Sequence, residues 1–132
     1  MCLAKETVQQ LSQELYRHPH LLAAYLLGSA GTDHFRPDSD LDIALLPYPG
    51  HSLSGKDMLE LAADLQDHFG YIMDIGLLST RQLIYTKEAI TQGHRLFCRD
   101  EYLHDLFVAT ALSLYAQLRL ECREIEKVYA GE

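Results

Sequence analysis

The sequence predicts a mixed α/β (α+β) fold: helices packed against one short mixed sheet, with a long helix at the C-terminal end. Three observations predict it. Short apolar runs of strand length are interleaved with stretches whose apolar residues recur at helical spacing. Glycine, proline and serine stand at the boundaries between them. The last thirty or so residues carry apolar side chains at helical spacing with no glycine or proline until the end. The chain has 132 residues, 48% of them hydrophobic and 23% charged, an ordinary globular balance. It shows no repeat, low-complexity tract or long linker, so one domain over residues 1–132 is expected, with a core at about 20–100 and a final helix at about 101–130.

Each element has its own reason. Residues 3–18 place Leu3, Val8, Leu11 and Leu15 among polar residues, the pattern of an amphipathic helix, and Pro19 stops it. "LLAAYLL" (21–27) is a short continuous apolar run ending at Gly28, consistent with a buried strand. "LDIALLPY" (41–48) is a second such run, closed by Pro47 and Pro49. Ser54 caps a predicted helix over 55–69 that turns Met58, Leu59, Ala62, Leu65 and Phe69 inward. "YIMDIGLLS" (71–79) is a third strand. Ser79 with Gln82 resembles a capping box for a helix to about Gln92. "HRLFCR" (94–99) reads as a short strand. Asp100 then caps the long helix, whose stripe is Leu103, Leu106, Phe107, Thr110, Leu114, Leu118, Cys122, Ile125 and Val128.

Charge and composition narrow the function. The formal net charge is −8, which disfavours sequence-independent binding to a nucleic-acid backbone. Nucleotides remain open, because metal ions bridge acid to phosphate. No apolar run approaches the roughly 18 residues of a membrane span, and "MCLAKETVQQ" lacks a signal-peptide core. A cytoplasmic protein without membrane attachment is expected. Cys2, Cys98 and Cys122 are odd in number and far apart, so they are read as reduced and mostly core-filling. The seven histidines form no metal-ligand spacing of their own.

The acid in "PDSDLDIALL" carries more information. Asp40 and Asp42 stand two apart; on a strand they face the same way, with Cα atoms roughly 6.6 Å apart. Two close carboxylates repel unless a cation joins them, and Mg²⁺ commonly takes one or two carboxylates plus substrate phosphates. Asp38 shares their parity, but turn formation after Pro37 explains it. Gly28-Ser29 follows the first strand, a turn able to present backbone N–H groups to phosphate. Asp74 interrupts "YIMDIGLL", an odd place for plain surface acid, and shares a face with the pair if the two strands are neighbours.

Gly28-Ser29, ten residues, then Asp40-x-Asp42, with Asp74 as a later strand carboxylate, resembles the signature of the DNA polymerase β-like nucleotidyltransferase superfamily. The short length and the tail "AITQGHRLFCRDEYLHDLF" resemble its minimal nucleotidyltransferase (MNT) branch. After Gly28-Ser29 the chain reads "AGTDHF", without the arginine that family often carries there. The resemblance implies the small nucleotidyltransferase fold and transfer of a nucleoside monophosphate from an NTP to a hydroxyl. It implies that Asp40, Asp42 and Asp74 are catalytic and hold two Mg²⁺ ions, Asp74 also helping to deprotonate the attacking hydroxyl. Gly28 and Ser29 would bind the outgoing phosphates. The MNT branch resembles antitoxins paired with HEPN-type RNase toxins, which implies transfer of AMP from ATP to a toxin tyrosine and a hetero-oligomer with that toxin. Two alternatives stand beside it: an antitoxin that neutralises by binding alone, and a nucleotidyltransferase acting on a small-molecule alcohol.

Overall fold

A computed structural model describes residues 3–28 and 40–130. Along the chain these form α1 (Lys5–Tyr16), β1 (Leu21–Leu27), β2 (Leu41–Pro47), α2 (Gly55–Phe69), β3 (Met73–Leu77), α3 (Leu83–Gln92), β4 (His94–Cys98) and α4 (Glu101–Ala130). The order and type of all eight elements are those the sequence predicts. The four strands make one sheet in the order β3-β2-β1-β4. β1 runs antiparallel to both β2 and β4, while β2 and β3 are parallel, so the sheet is mixed. This is the mixed α/β architecture expected, with its long terminal helix.

Both faces of the sheet are covered, which explains why β1 is apolar throughout instead of alternating. One face carries Leu26, Leu41, Ile43, Leu45 and Met73 against Leu11 and Leu15 of α1 and Leu61 and Leu65 of α2. The other carries Tyr25, Ala44 and Leu46 against Ala89 of α3 and the half-buried Leu103 and Phe107 of α4. Ile43 and Leu45 therefore face one layer, and Asp42 and Ala44 face the other. Arg99 ties the α1–β1 turn to the sheet: its guanidinium donates to the backbone carbonyls of Leu21 (3.0 Å), His18 (3.2 Å) and Tyr16.

Two local expectations are corrected, and one open point is decided. In α2, Leu59 is exposed and Leu61 is buried in its place. A residue turns about 100° from its neighbour, so Met58, Leu61, Ala62, Leu65 and Phe69 share a face that Leu59 misses. The predicted capping box before α3 does not form. Ser79 Oγ instead accepts from the Arg81 N–H (2.9 Å), and the helix begins at Leu83 without a side-chain cap. Thr86 takes over that junction: its fully buried hydroxyl accepts from the Ser79 N–H (3.0 Å) and donates to the Ser79 carbonyl (2.9 Å). The open point is the covering of α4. Asp100 caps it as expected, accepting from Leu103 N–H at 3.1 Å. Its apolar stripe is covered only near the start. Leu106, Leu114, Ile125 and Val128 are exposed, Cys122 with them, and the fully buried positions are His104 and Ala111. The helix outruns the sheet, and every residue from Glu121 to Ala130 is exposed. No helix among the described residues is long and apolar enough to cross a membrane.

Candidate active site

Asp42 and Asp74 are register partners across the parallel β2–β3 pair, so both carboxylates leave the sheet side by side on one face. Leu27, the last residue of β1, is the partner of Asp42 on its other side. Gly28 follows it with φ +71°, a left-handed backbone that favours glycine. A Cβ at Gly28 would stand 2.8 Å from Asp42 Oδ2. The chain thus needs glycine here twice, for the backbone angle and for the room beside the carboxylate. Asp40 is exposed and sits just ahead of β2. The other expected phosphate contact, Ser29, lies outside the described residues, as does Asp38.

The Asp42 carboxylate feels both of the others. Burial, then the Asp74 carboxylate, then Asp40 push the Asp42 carboxyl above its ordinary value, and a hydrogen bond shared with Asp74 adds to this. An uncompensated charge in such a place is costly, and a hard cation with oxygen ligands would remove the cost. The donor set is all oxygen and all acidic, which fits Mg²⁺ and not a softer metal.

A pocket of about 450 Å³ opens at this point, within the usual range for small-ligand sites. Leu27, Asp42, Asp74, Gly76, Leu77, Met58, Gln82 and Tyr85 line it. The last two come from the start of α3 and its N-cap, so the late start of that helix sets one wall. Tyr85 lays its ring over Gly76, where a Cβ would overlap the hydroxyl and stand 2.8 Å from Cζ. Burial, Asp74 and Asp42, in that order, raise the Tyr85 phenol above its ordinary value. Sequence reading did not assign Tyr85, Gln82 or Met58 to the site. Gly76 carried a usable signal, since an interior strand glycine marks a close approach by another group. Nothing in the sequence fixed the rotation of α3 that brings Tyr85 to it.

A sequence model described as polymerase beta, nucleotidyltransferase matches residues 9–102, which include every acidic residue of the site. The chain belongs to this family. Solved structures extend the likeness. A toxin–antitoxin crystallised with AMP-PNP is 25% identical, with a TM-score of 0.72, covering 94% of this chain and 98% of that one. A tri-AMPylated Shewanella oneidensis HEPN toxin in complex with MNT antitoxin matches at 27% identity and a TM-score of 0.67, over 92% and 98% of the two chains. A variant MntA–HpeT toxin–antitoxin, with glutamate replacing two aspartates that stand two positions apart, matches at 26% and 0.70 over 92% and 98%. No curated protein matches this family member by sequence.

Proposed function

We propose that this chain is an antitoxin that transfers AMP from ATP to a tyrosine of a cognate HEPN RNase toxin, releasing pyrophosphate. The observation that carries the reading is the register pairing of Asp42 with Asp74, with Gly28 on one side and Asp40 ahead of it. Asp40, Asp42 and Asp74 would hold two Mg²⁺ ions. Those ions would supply charge neutralisation on the phosphates and on the attacking and leaving oxygens. The chain's residues do the rest. Gly28 keeps the space beside Asp42 open for the triphosphate, and Ser29 would join it in binding the outgoing phosphates. Met58, Leu27 and Tyr85 give the pocket apolar walls for the nucleoside. Asp74, on the edge strand, takes the proton from the acceptor tyrosine. The tyrosine oxygen bonds to the α-phosphorus, the bond to the β-phosphate bridge breaks, and pyrophosphate leaves. Catalysis of this kind rests on positioning and charge more than on covalent help.

Two observations support a protein acceptor. The similar chains are found in toxin–antitoxin complexes, one with a HEPN toxin carrying three AMP groups. This chain also leaves the apolar side of α4 bare, with Ile125, Val128 and Tyr129 exposed. We place the toxin on that helix, in the cytoplasm where its RNA substrates are. The deciding experiment mixes the chain with a HEPN protein encoded beside it, ATP and Mg²⁺, and reads intact mass. A gain of AMP on the toxin, lost in Asp42→Asn, is the expected result. Stable complex formation with no gain in mass overturns the enzymatic reading in favour of neutralisation by binding.

A further inference from the structure

A second cluster of metal-ligating side chains lies at the β4–α4 junction, apart from the aspartates. Cys98 ends β4, Glu101 begins α4, and His104 follows one helical turn on. The spacing Cys-x2-Glu-x2-His brings one sulfur, one carboxylate oxygen and one ring nitrogen within 4.8 Å of one another. His104 is buried, Cys98 half-buried and Glu101 exposed, so the cluster opens to solvent on the Glu101 side.

The ligands are held by their neighbours. Asp105 Oδ1 lies 3.2 Å from His104 Nδ1, an N–H donor when Nε2 is the basic nitrogen. A carboxylate on the far nitrogen is the usual support of a metal-bound imidazole. Nε2 accepts a hydrogen bond from the Tyr25 hydroxyl on β1, a bond that a metal on this nitrogen must displace, leaving the hydroxyl as a polar neighbour. Arg95, the register partner of Tyr25, donates two hydrogen bonds to Glu101, at 2.7 and 3.0 Å, and fixes its carboxylate. A carboxylate has about four lone-pair sites, so that bidentate contact leaves capacity for a metal.

The chemistry differs from that of the aspartates. One sulfur, one nitrogen and one oxygen ligand suit a borderline ion, and three protein ligands with an open position are a familiar zinc arrangement. We propose that Cys98, Glu101 and His104 form a zinc site that ties the end of β4 to the first turn of α4, with Asp105 orienting His104. Binding forms a Zn–S bond and releases the Cys98 thiol proton to solvent. This site is independent of the nucleotidyltransferase reading.

The test uses the full chain, stripped with a chelator, reloaded with Zn²⁺ and desalted, followed by elemental analysis and competition with a chromophoric chelator. One equivalent of zinc is expected, with a thiolate charge-transfer band when Co²⁺ replaces it. Cys98→Ser and Glu101→Gln each weaken zinc binding at least about tenfold, and Cys98→Ser removes the cobalt band. Both positions are at least partly exposed, and circular dichroism checks that the fold persists. The double variant Asp42→Asn/Asp74→Asn keeps its zinc. Failure of the wild-type chain to retain zinc overturns the proposal. So does zinc retention that Cys98→Ser leaves unchanged, or that the aspartate variant abolishes.

Discussion

Asp42 is held among burial, the Asp74 carboxylate and Asp40, all of which work against its charge. Its folded-state value is raised, so the proton it carries stabilises the fold below the ordinary carboxylate range. That stability is lost as pH rises through the raised value. The metal-free chain is therefore expected to lose Tm across that window, and Mg²⁺ to raise Tm more at neutral pH than at acid pH. Differential scanning fluorimetry across pH, with and without Mg²⁺, reads both trends. Asp42→Asn should flatten the first trend, raise the neutral metal-free Tm by about 1–2 °C and abolish the Mg²⁺ response. Gly28→Ala meets two obstacles, the positive φ and the Asp42 oxygen, and is expected to cost about 2 kcal/mol or more in urea unfolding. Gly76→Ala collides with Tyr85, and pairing it with Tyr85→Leu should restore about 1 kcal/mol in a double-mutant cycle. At this scale the sequence revealed the acids through their spacing. It did not reveal Tyr85, because a residue on a separate helix has no sequence relation to the strand it covers.

The elements were legible because their signals are local. The Ser54 cap is one case: Asp57 N–H donates to its side chain (3.1 Å) and the Asp57 carboxylate accepts from Ser54 N–H (3.0 Å). Ser54→Ala is expected to cost about 1 kcal/mol, measured by urea denaturation. Local reading failed where a competing contact won. Before α3, the buried Thr86 hydroxyl holds Ser79, and the expected box never closes. In α4 the apolar stripe extends beyond the sheet, an extent that periodicity alone does not fix. Removing residues 121–130 should therefore leave Tm within about 2 °C, since those residues bury almost nothing. The same truncation, or Ile125→Asp with Val128→Asp, should weaken toxin binding at least tenfold by calorimetry if that helix is the docking face. Unchanged affinity would remove α4 from the interface.

For the whole molecule, strand order is what makes a site. β2 lies between β1 and β3, so Asp42 meets Gly28 from one neighbour and Asp74 from the other. The parallel β2–β3 pairing requires a crossover, and α2 supplies it. A one-residue slip of β3 would turn Asp74 to the α2 side and separate the carboxylates. Met73 and Ile75 hold the register by packing on the opposite face. The cluster at Cys98, Glu101 and His104 arises in the same way, from a strand end meeting a helix start. Reading cysteines and histidines as separate sets passed over it, because its three ligands are of three kinds.

Local patterns in the chain were enough to specify the eight elements and to single out the acids. These follow from periodicity, from caps and breakers, and from the cost of placing carboxylates in apolar strands, all of which act over a few residues. Packing between distant segments sets which strand lies beside which, how α3 rotates Tyr85 over Gly76 and how much of α4 is left uncovered. Those depend on register and packing between segments far apart in the chain, and short-range pattern carries no record of that.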